Sequence, residues 1–200
     1  FKELSFIKNM IFWVDSISED QKHKNAIFAK PFNDKNAIPQ KLTGDNFYIK
    51  SNFHGYGGKS YQCIEVNDQI YLIWIDQISK ALWLRILKAQ EVVPENDNGY
   101  FLCDTKPRQI TEAIESNFDT SFIISRNNVL YGLCEIKNRD YLFSLNLKKT
   151  KQKIRKIKKF DNFAGNLSSN PKGNLFSWIE WNSDYMPWEK NFLFFASIDN

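Results

Sequence analysis

Short runs of aliphatic and aromatic residues recur along the chain, and each follows a turn rich in Asn, Asp or Gly. Such a turn followed by an apolar, β-branched or aromatic run is typical of a β-strand. Four runs share this pattern, at residues 8–15, 68–76, 127–133 and 173–180. Their aromatic anchors are Phe12, Tyr71, Tyr131 and Phe176, which are 59, 60 and 45 residues apart.

Further elements repeat behind these strands. A second apolar strand follows at 81–87, 141–147 and 192–199, and a short third element occurs at 40–43 and 108–111. A repeat of about 40 to 60 residues built from short strands is typical of small sheets arranged radially. Since one such sheet cannot bury both faces alone, neighbouring sheets must stack.

The sequence therefore predicts an all-β fold, namely a β-propeller that forms a partial ring of about four blades of short antiparallel strands. Helical periodicity is nearly absent, which supports this fold class. We expect one propeller segment over residues 1–200, with blade units at roughly 1–43, 44–107, 108–160 and 161–200.

Composition narrows the functional classes. Aromatic residues make up 16% of the chain, which favours strands and a large core. No apolar run approaches the ~18 to 20 residues of a membrane span, so no membrane partner is predicted. Cys63, Cys103 and Cys134 are scattered, which predicts buried thiols and a cytoplasmic protein without a metal or cofactor.

The glycine-rich run His54-Gly55-Tyr56-Gly57-Gly58 could belong to two kinds of catalytic loop. Gly57-Gly58-Lys59-Ser60 is similar to the end of a phosphate-binding loop. That loop requires a glycine where this chain has Phe53, and it precedes a helix, whereas an alternating strand pattern follows here.

The second possibility is the His-Gly-Gly oxyanion loop of lipases, which works with a Gly-x-Ser-x-Gly elbow and a histidine late in the chain. This chain has no such elbow, and its only histidines are His23 and His54. We therefore predict no catalytic residue and interpret the run as a turn at the start of a blade. Its glycines serve backbone geometry, and His54 and Tyr56 pack or form hydrogen bonds near the propeller axis.

Charged residues add little to the functional assignment. Residues 148–159 contain eight Lys or Arg, and the absence of aromatic residues between them favours a solvated segment over a nucleic-acid site. Asp15, Asp76 and Glu135 lie near strand ends at equivalent places in the repeat, which indicates structural roles.

Two stretches resemble one known family. Residues 47–58 resemble the pattern F-N-V-R-(S/T)-R-V-H-E-Y-G-G, and residues 170–188 resemble S-P-D-G-R-x-L-A-W-x-E-W-D-H-P-N-M-P-W. Between them, residues 108–111 match R-Q-(L/I)-T. These patterns belong to the N-terminal β-propeller of prolyl oligopeptidase-family serine peptidases, in the branch near acylaminoacyl and dipeptidyl peptidases.

The resemblance implies a two-domain peptidase in which a propeller caps an α/β-hydrolase domain that carries Ser, Asp and His. The propeller would limit access to small peptides, and the hydrolase domain would lie outside these residues. The partner implied is thus a peptide substrate. Substrate-side candidates are Lys50, Asn52, His54, Tyr56, Trp181 and Trp188. Structural motif residues are Gly57, Gly58, Pro171, Gly173, Met186 and Pro187.

The chain departs from the family pattern where charge matters. Gly55 replaces the family's glutamate, and Lys50 and Asn52 replace its two arginines. Neither Lys nor Asn reproduces the bidentate fork that Arg offers a carboxylate. Lys172 replaces the aspartate of the S-P-D-G turn, which removes a side chain that would cap the turn.

An alternative function is a stand-alone propeller that serves as a binding scaffold for a protein partner. The contact surface would then be the basic run at 148–159 or the cluster of Trp178, Trp181 and Trp188. Nucleic acid is not the favoured partner. We also expect homo-association through the open edges of the propeller.

Overall fold

The computed structural model describes residues 2–19, 22–89, 101–102, 105–113, 115–125, 127–170 and 172–197. Within these residues it contains sixteen β-strands, one short 3-10 turn and no α-helix. The strands form four sheets, and their pairings are antiparallel throughout. The all-β prediction is confirmed. In the same described residues, no helix has the length and apolar composition needed to cross a bilayer.

The chain divides into two compact units. The first unit comprises Phe1–Lys50 and Lys59–Gln109, and the second comprises Ser51–Gly58 and Ile110–Asn200. Each unit contains two of the four sheets.

The first unit contains two meandering sheets. In the first sheet the order follows the chain: β1 (Lys2–Ile7), β2 (Met10–Glu19), β3 (Lys22–Pro31) and β4 (Gln40–Lys41). The second sheet consists of β5 (Tyr61–Val66), β6 (Gln69–Asp76), β7 (Ala81–Ala89), β8 (Phe101–Leu102) and β9 (Arg108–Gln109). Both β8 and β9 pair with β7.

The core of the first unit lies between its two sheets and is rich in rings and β-branched residues. Phe12 on β2 and Trp74 on β6 are fully buried in one cluster. Phe47 packs edge-on against the Trp74 ring at 5.3 Å between centroids. Such buried aromatic pairs contribute about 0.5–1.5 kcal/mol beyond the area they bury.

The second unit repeats the same meander. Its first sheet is β10 (Ser116–Ile124), β11 (Val129–Ile136), β12 (Asp140–Asn146) and β13 (Arg155–Lys159). Its second sheet is β14 (Phe163–Ser169), β15 (Leu175–Trp181) and β16 (Phe192–Ser197). The fully buried rings of Phe160 and Phe176 join one cluster with Leu133 on β11 and Trp178 on β15.

A lysine joins the two sheets of the second unit. The Lys158 ammonium on β13 lies 4.7 Å from the ring centroids of both Phe160 and Trp178. It also lies 3.2 Å from Oε1 of Glu180, which accepts a hydrogen bond from the Trp178 indole at 2.8 Å. The buried carboxylate of Glu180 is thus satisfied by two donors.

The sequence repeat corresponds directly to the sheets. Its four aromatic anchors, Phe12, Tyr71, Tyr131 and Phe176, lie on β2, β6, β11 and β15. Each of these strands is the second strand of its sheet and pairs with a neighbour along both edges. Its apolar sequence reflects buried side chains, as on β6, where Leu72, Ile73 and Trp74 are fully buried. The short third element of the repeat forms β4 and β9, each an outer strand that pairs with the third strand of its sheet.

Candidate functional site

The glycine-rich run folds as a tight turn at the start of the second unit. A 3-10 turn spans Phe53–Gly55, and His54 within it has the positive φ of 51°. Gly57 follows with a φ of 81°, and a Cβ there would lie 3.3 Å from the Ser51 carbonyl oxygen. Glycine at position 57 therefore tolerates the left-handed backbone and leaves room for the Ser51 carbonyl oxygen.

The Ser51 hydroxyl attaches the turn to the sheet of β10–β13 and also closes a hydrogen bond within the turn. The Ser51 hydroxyl donates to the Phe118 carbonyl at 3.0 Å and accepts the Phe53 N–H at 3.3 Å. Because Ser51 is buried, these hydrogen bonds satisfy a hydroxyl that would otherwise be costly to desolvate.

His54 is held by two carboxylates of the same sheet. Its ring Nε2 lies 2.7 Å from Oδ2 of Asp140, and both side chains are almost fully buried. Its backbone N–H donates to Oε2 of Glu135 at 3.2 Å. Asp140 Oδ2 also accepts the backbone N–H of Ala164 at 2.8 Å, so one carboxylate joins the turn to β14.

Aromatic rings enclose the imidazole of His54. The Phe53 ring lies 3.8 Å from it between centroids, and the rings of Phe163 and Trp181 meet it edge-on at 5.0 and 5.4 Å. Phe163 and Trp181 stack on each other at 5.8 Å. This packing fixes the orientation of His54 and exposes one side of the ring cluster to a cleft.

The cleft has a volume of about 190 Å³ and lies next to this ring cluster. Its lining residues are His54, Tyr56, Phe163, Trp181, Ser183, Asp184, Tyr185, Met186 and Glu189. Tyr56 is 75% exposed and stands at the rim, where its hydroxyl lies 3.8 Å from the Met186 sulfur. Trp181 is only 9% exposed and forms part of the floor.

The far wall of the cleft is the loop between β15 and β16. Glu189 shapes it by accepting the Met186 N–H at 2.9 Å, and its own N–H donates to the Met186 carbonyl at 2.9 Å. The Lys190 ammonium lies 5.1 Å from the Tyr185 ring centroid. These local contacts give the loop a defined shape without a helix or strand.

Asp119 is another titratable group in this region. Burial raises the pKa of its carboxyl, and the N–H of Ser121 at 3.3 Å and the nearby His54 partly oppose that shift. In the described part of the chain, no three His, Cys, Asp or Glu side chains are arranged to hold a metal ion.

The whole chain matches solved peptidase structures. A puromycin-hydrolyzing peptidase of Mycobacterium tuberculosis matches with a TM-score of 0.75 and 14% identity over 100% of this chain and 30% of that one. A puromycin hydrolase matches with a TM-score of 0.73 and 13% identity over 98% of this chain and 30% of that one. The chain has the fold of the region that it matches in these peptidases, a partial β-propeller.

The chain thus spans about 30% of the length of the peptidases that it matches. The four sheets are blades of a partial propeller, as the sequence predicts. No protein-family model matches the sequence, and no curated protein matches it either.

The propeller brings together some of the predicted substrate-side residues. His54, Tyr56 and Trp181 line the cleft, as does the motif residue Met186. Asn52 and Trp188 are exposed, and neither is among the lining residues.

Two more predicted residues do not line the cleft. Lys50 is exposed in the first unit, where its carbonyl accepts the Gln77 amide at 3.4 Å. Pro187 is half-buried in the β15–β16 loop, and its carbonyl accepts the Asn191 amide.

The structure describes two of the remaining structural motif residues, Gly58 and Gly173. Gly58 follows Gly57 at the end of the glycine-rich run. Gly173 has a φ of 70° and donates to the Asn170 carbonyl at 2.9 Å in the turn between β14 and β15. Pro171 lies outside the described residues, as does Cys103.

Three residues of the site escape sequence reasoning, because Asp140, Phe163 and Glu189 carry no motif signal. Glu135 is named from its place in the repeat as a structural residue, and its carboxylate accepts the His54 N–H and the Asn117 amide. His54 and Asp140 are 86 positions apart in the sequence, so no local spacing predicts their contact. An isolated Asp at the start of an apolar strand, where Asp140 stands, is the one feature that could have drawn notice.

Proposed function

We propose that this chain is the non-catalytic propeller segment of a serine peptidase and that its cleft receives and positions peptide substrate. The observation that best supports this proposal is the meeting of the two stretches, residues 47–58 and 170–188, in one cleft. They contribute His54, Tyr56, Trp181 and Met186 to its lining. The matched structures are puromycin-hydrolysing peptidases, which supports an amide-hydrolysing parent enzyme.

The lining of the cleft suits a peptide side chain. Tyr56, Phe163 and Trp181 offer ring surface, and such walls gain free energy mainly by removing apolar area from water. A volume of about 190 Å³ is below the ~300 Å³ of common drug-sized pockets. The cleft therefore accommodates one side chain, which would anchor the peptide.

Hydrolysis itself would belong to a separate domain. These 200 residues contain no Gly-x-Ser-x-Gly, and the imidazole Nε2 of His54 is bonded to Asp140 inside the ring cluster. An acyl-transfer triad needs a histidine whose nitrogen reaches a serine hydroxyl. We therefore expect the chain to hold substrate while a hydrolase domain supplies Ser, Asp and His.

Peptide binding by the chain tests this function directly. The unlabelled tetrapeptide Ala-Leu-Phe-Ala should change the tryptophan fluorescence of the protein, because Trp181 forms the cleft floor. Tyr56→Ala should weaken this binding by about fivefold through the loss of rim contacts. Phe32→Ala, which removes an exposed ring outside the cleft, is the matched control and should leave binding unchanged.

Two results would contradict the proposal. One is equal binding by the wild type and Tyr56→Ala, which would place the peptide elsewhere. The other is stoichiometric labelling of the chain by a fluorophosphonate, which would show an activated serine within these residues.

A further inference from the structure

Strand β13 is an edge strand with an unusual surface. All five of its residues are exposed, and among the strands that the structure describes it pairs only with β12. Its other edge therefore presents backbone N–H and C=O groups to which a further strand can bind. The sequence of β13, Arg-Lys-Ile-Lys-Lys, places an apolar residue among four basic ones.

The positive charge of the chain is concentrated around this strand. Residues 148–159 hold eight basic and no acidic residues, whereas the net charge of the whole chain is only +4. The remainder of the chain is therefore net negative. A local field of one sign attracts an oppositely charged partner and raises its association rate.

Two of the β13 lysines interact with other side chains of the molecule. The Lys156 ammonium lies 4.2 Å from the Tyr141 ring centroid, and Lys158 pairs with Glu180 at 3.2 Å. In the described residues, Arg155 and Lys159 take part in no ion pair and no cation–π contact. Their charges flank Ile157, which is 47% exposed.

We propose that β13 is a docking edge for an extended acidic polypeptide, which adds to the sheet as a further antiparallel or parallel strand. Main-chain hydrogen bonds supply affinity in this mode, and side chains on alternate positions supply specificity. Acidic side chains of the partner pair with Arg155 and Lys159, which lie on either side of the bulge that Ile157 forms in β13.

The same features disfavour other occupants. A second copy of β13 would bring like charges together, which is how basic residues protect edge strands from self-pairing. Single-stranded nucleic acid is bound largely by stacking on aromatic residues, and the basic run contains none.

Fluorescence anisotropy of the 200-residue chain with fluorescein-labelled Glu-Val-Glu-Val-Glu-Val-Glu tests the proposal. Arg155→Glu combined with Lys159→Glu should weaken binding by about tenfold or more. The matched control combines Lys35→Glu with Lys172→Glu, which makes the same charge change at exposed residues outside β13 and should cost less than about twofold. Circular dichroism checks that both variants fold.

Two further probes separate strand addition from simple charge attraction. The same peptide with N-methyl groups on alternate amides keeps its charge but cannot complete the strand ladder, and it should also bind about tenfold more weakly. Equal losses in the two double variants would overturn the proposal, as would undiminished binding of the N-methylated peptide. Equal or tighter binding of an oligothymidylate of the same charge would overturn it in favour of nucleic acid.

Discussion

At the scale of single residues, Asp140 has the widest structural role in the site. Its carboxylate accepts from the His54 ring at 2.7 Å and from the Ala164 N–H at 2.8 Å, so it connects the glycine-rich turn with β14. The side chain is buried to 2% exposure, where each lost hydrogen bond leaves an unsatisfied partner. The shape of the cleft therefore depends on a residue that does not line it.

Replacement of Asp140 by alanine should destabilise the fold. We expect Asp140→Ala to lower the free energy of unfolding by about 2–4 kcal/mol, because two buried donors lose their acceptor. Urea denaturation measures the change. Asp184→Ala, an exposed acidic position in the cleft, should alter stability by less than about 0.5 kcal/mol. If Asp140→Ala lost as little stability as Asp184→Ala, the pair of Asp140 and His54 would contribute little to the fold.

Asp119 makes the free energy of unfolding depend on pH. Burial raises the pKa of its carboxyl in the folded state above the ordinary value of 3.8, so the unfolded chain ionises first as the pH rises. The free energy of unfolding therefore falls as the pH rises from 3.8 to the raised pKa, and the penalty persists above it.

Asn does not titrate, so Asp119→Asn should remove this penalty. The variant should be more stable than the wild type at pH 7, and the difference should shrink below pH 3.8. Thermal unfolding of both proteins at pH 3 and pH 7 measures it. A stability difference that is the same at both pH values would contradict the assignment to Asp119.

At the scale of elements, each sheet is built around its second strand. These strands pair along both edges and carry the anchors of the repeat, so their side chains must fit those of two neighbouring strands. On β11 the fit depends on Gly132, where a Cβ would lie 2.7 Å from Phe122 Cδ1 and 2.9 Å from Phe143 Cζ. The absence of a side chain makes room for two rings.

Gly132→Ala should therefore lower the free energy of unfolding, although alanine is at least as favourable as glycine in a strand. Overpacking of this kind costs typically about 1–3 kcal/mol, which chemical denaturation detects. Thr150→Ala, in the exposed turn before β13, is the control and should be nearly neutral. Equal stability of Gly132→Ala and the wild type would mean that Phe122 and Phe143 move aside freely.

At the scale of the whole molecule, two edge strands differ sharply in composition. The edge of β13 is basic, whereas β16 has the sequence Phe-Leu-Phe-Phe-Ala-Ser with all six residues exposed. In the described residues β16 pairs only with β15, in a sheet of three strands where the other sheets have four or five. An apolar edge without charged residues favours pairing with another chain.

We expect the 200-residue chain to self-associate through β16. Sedimentation velocity should show a mass that rises with concentration, because Leu193 and Phe195 are 59% and 62% exposed. Leu193→Lys combined with Phe195→Lys should shift the protein towards monomer, whereas Phe32→Lys should not. A wild type that remains monomeric at about 100 μM would refute this expectation, since contacts with a Kd near 1 μM would be saturated.

The sequence by itself determined the fold class and named some of the residues that line the cleft. Short apolar strands separated by Asn, Asp and Gly turns allow little besides stacked sheets, so the repeat of Phe12, Tyr71, Tyr131 and Phe176 sufficed to predict the blades. The motif residues His54 and Tyr56 could be named because their glycine-rich surroundings require a special backbone.

Only the tertiary structure decided which of these residues meet. The glycine-rich run precedes β5 in sequence, yet its contacts with Glu135 and Asp140 place it in the second unit. Contacts between residues more than 80 positions apart depend on how the sheets stack. A local sequence pattern does not predict that stacking. The buried acceptor and the cleft beside His54 are therefore properties of the folded propeller alone.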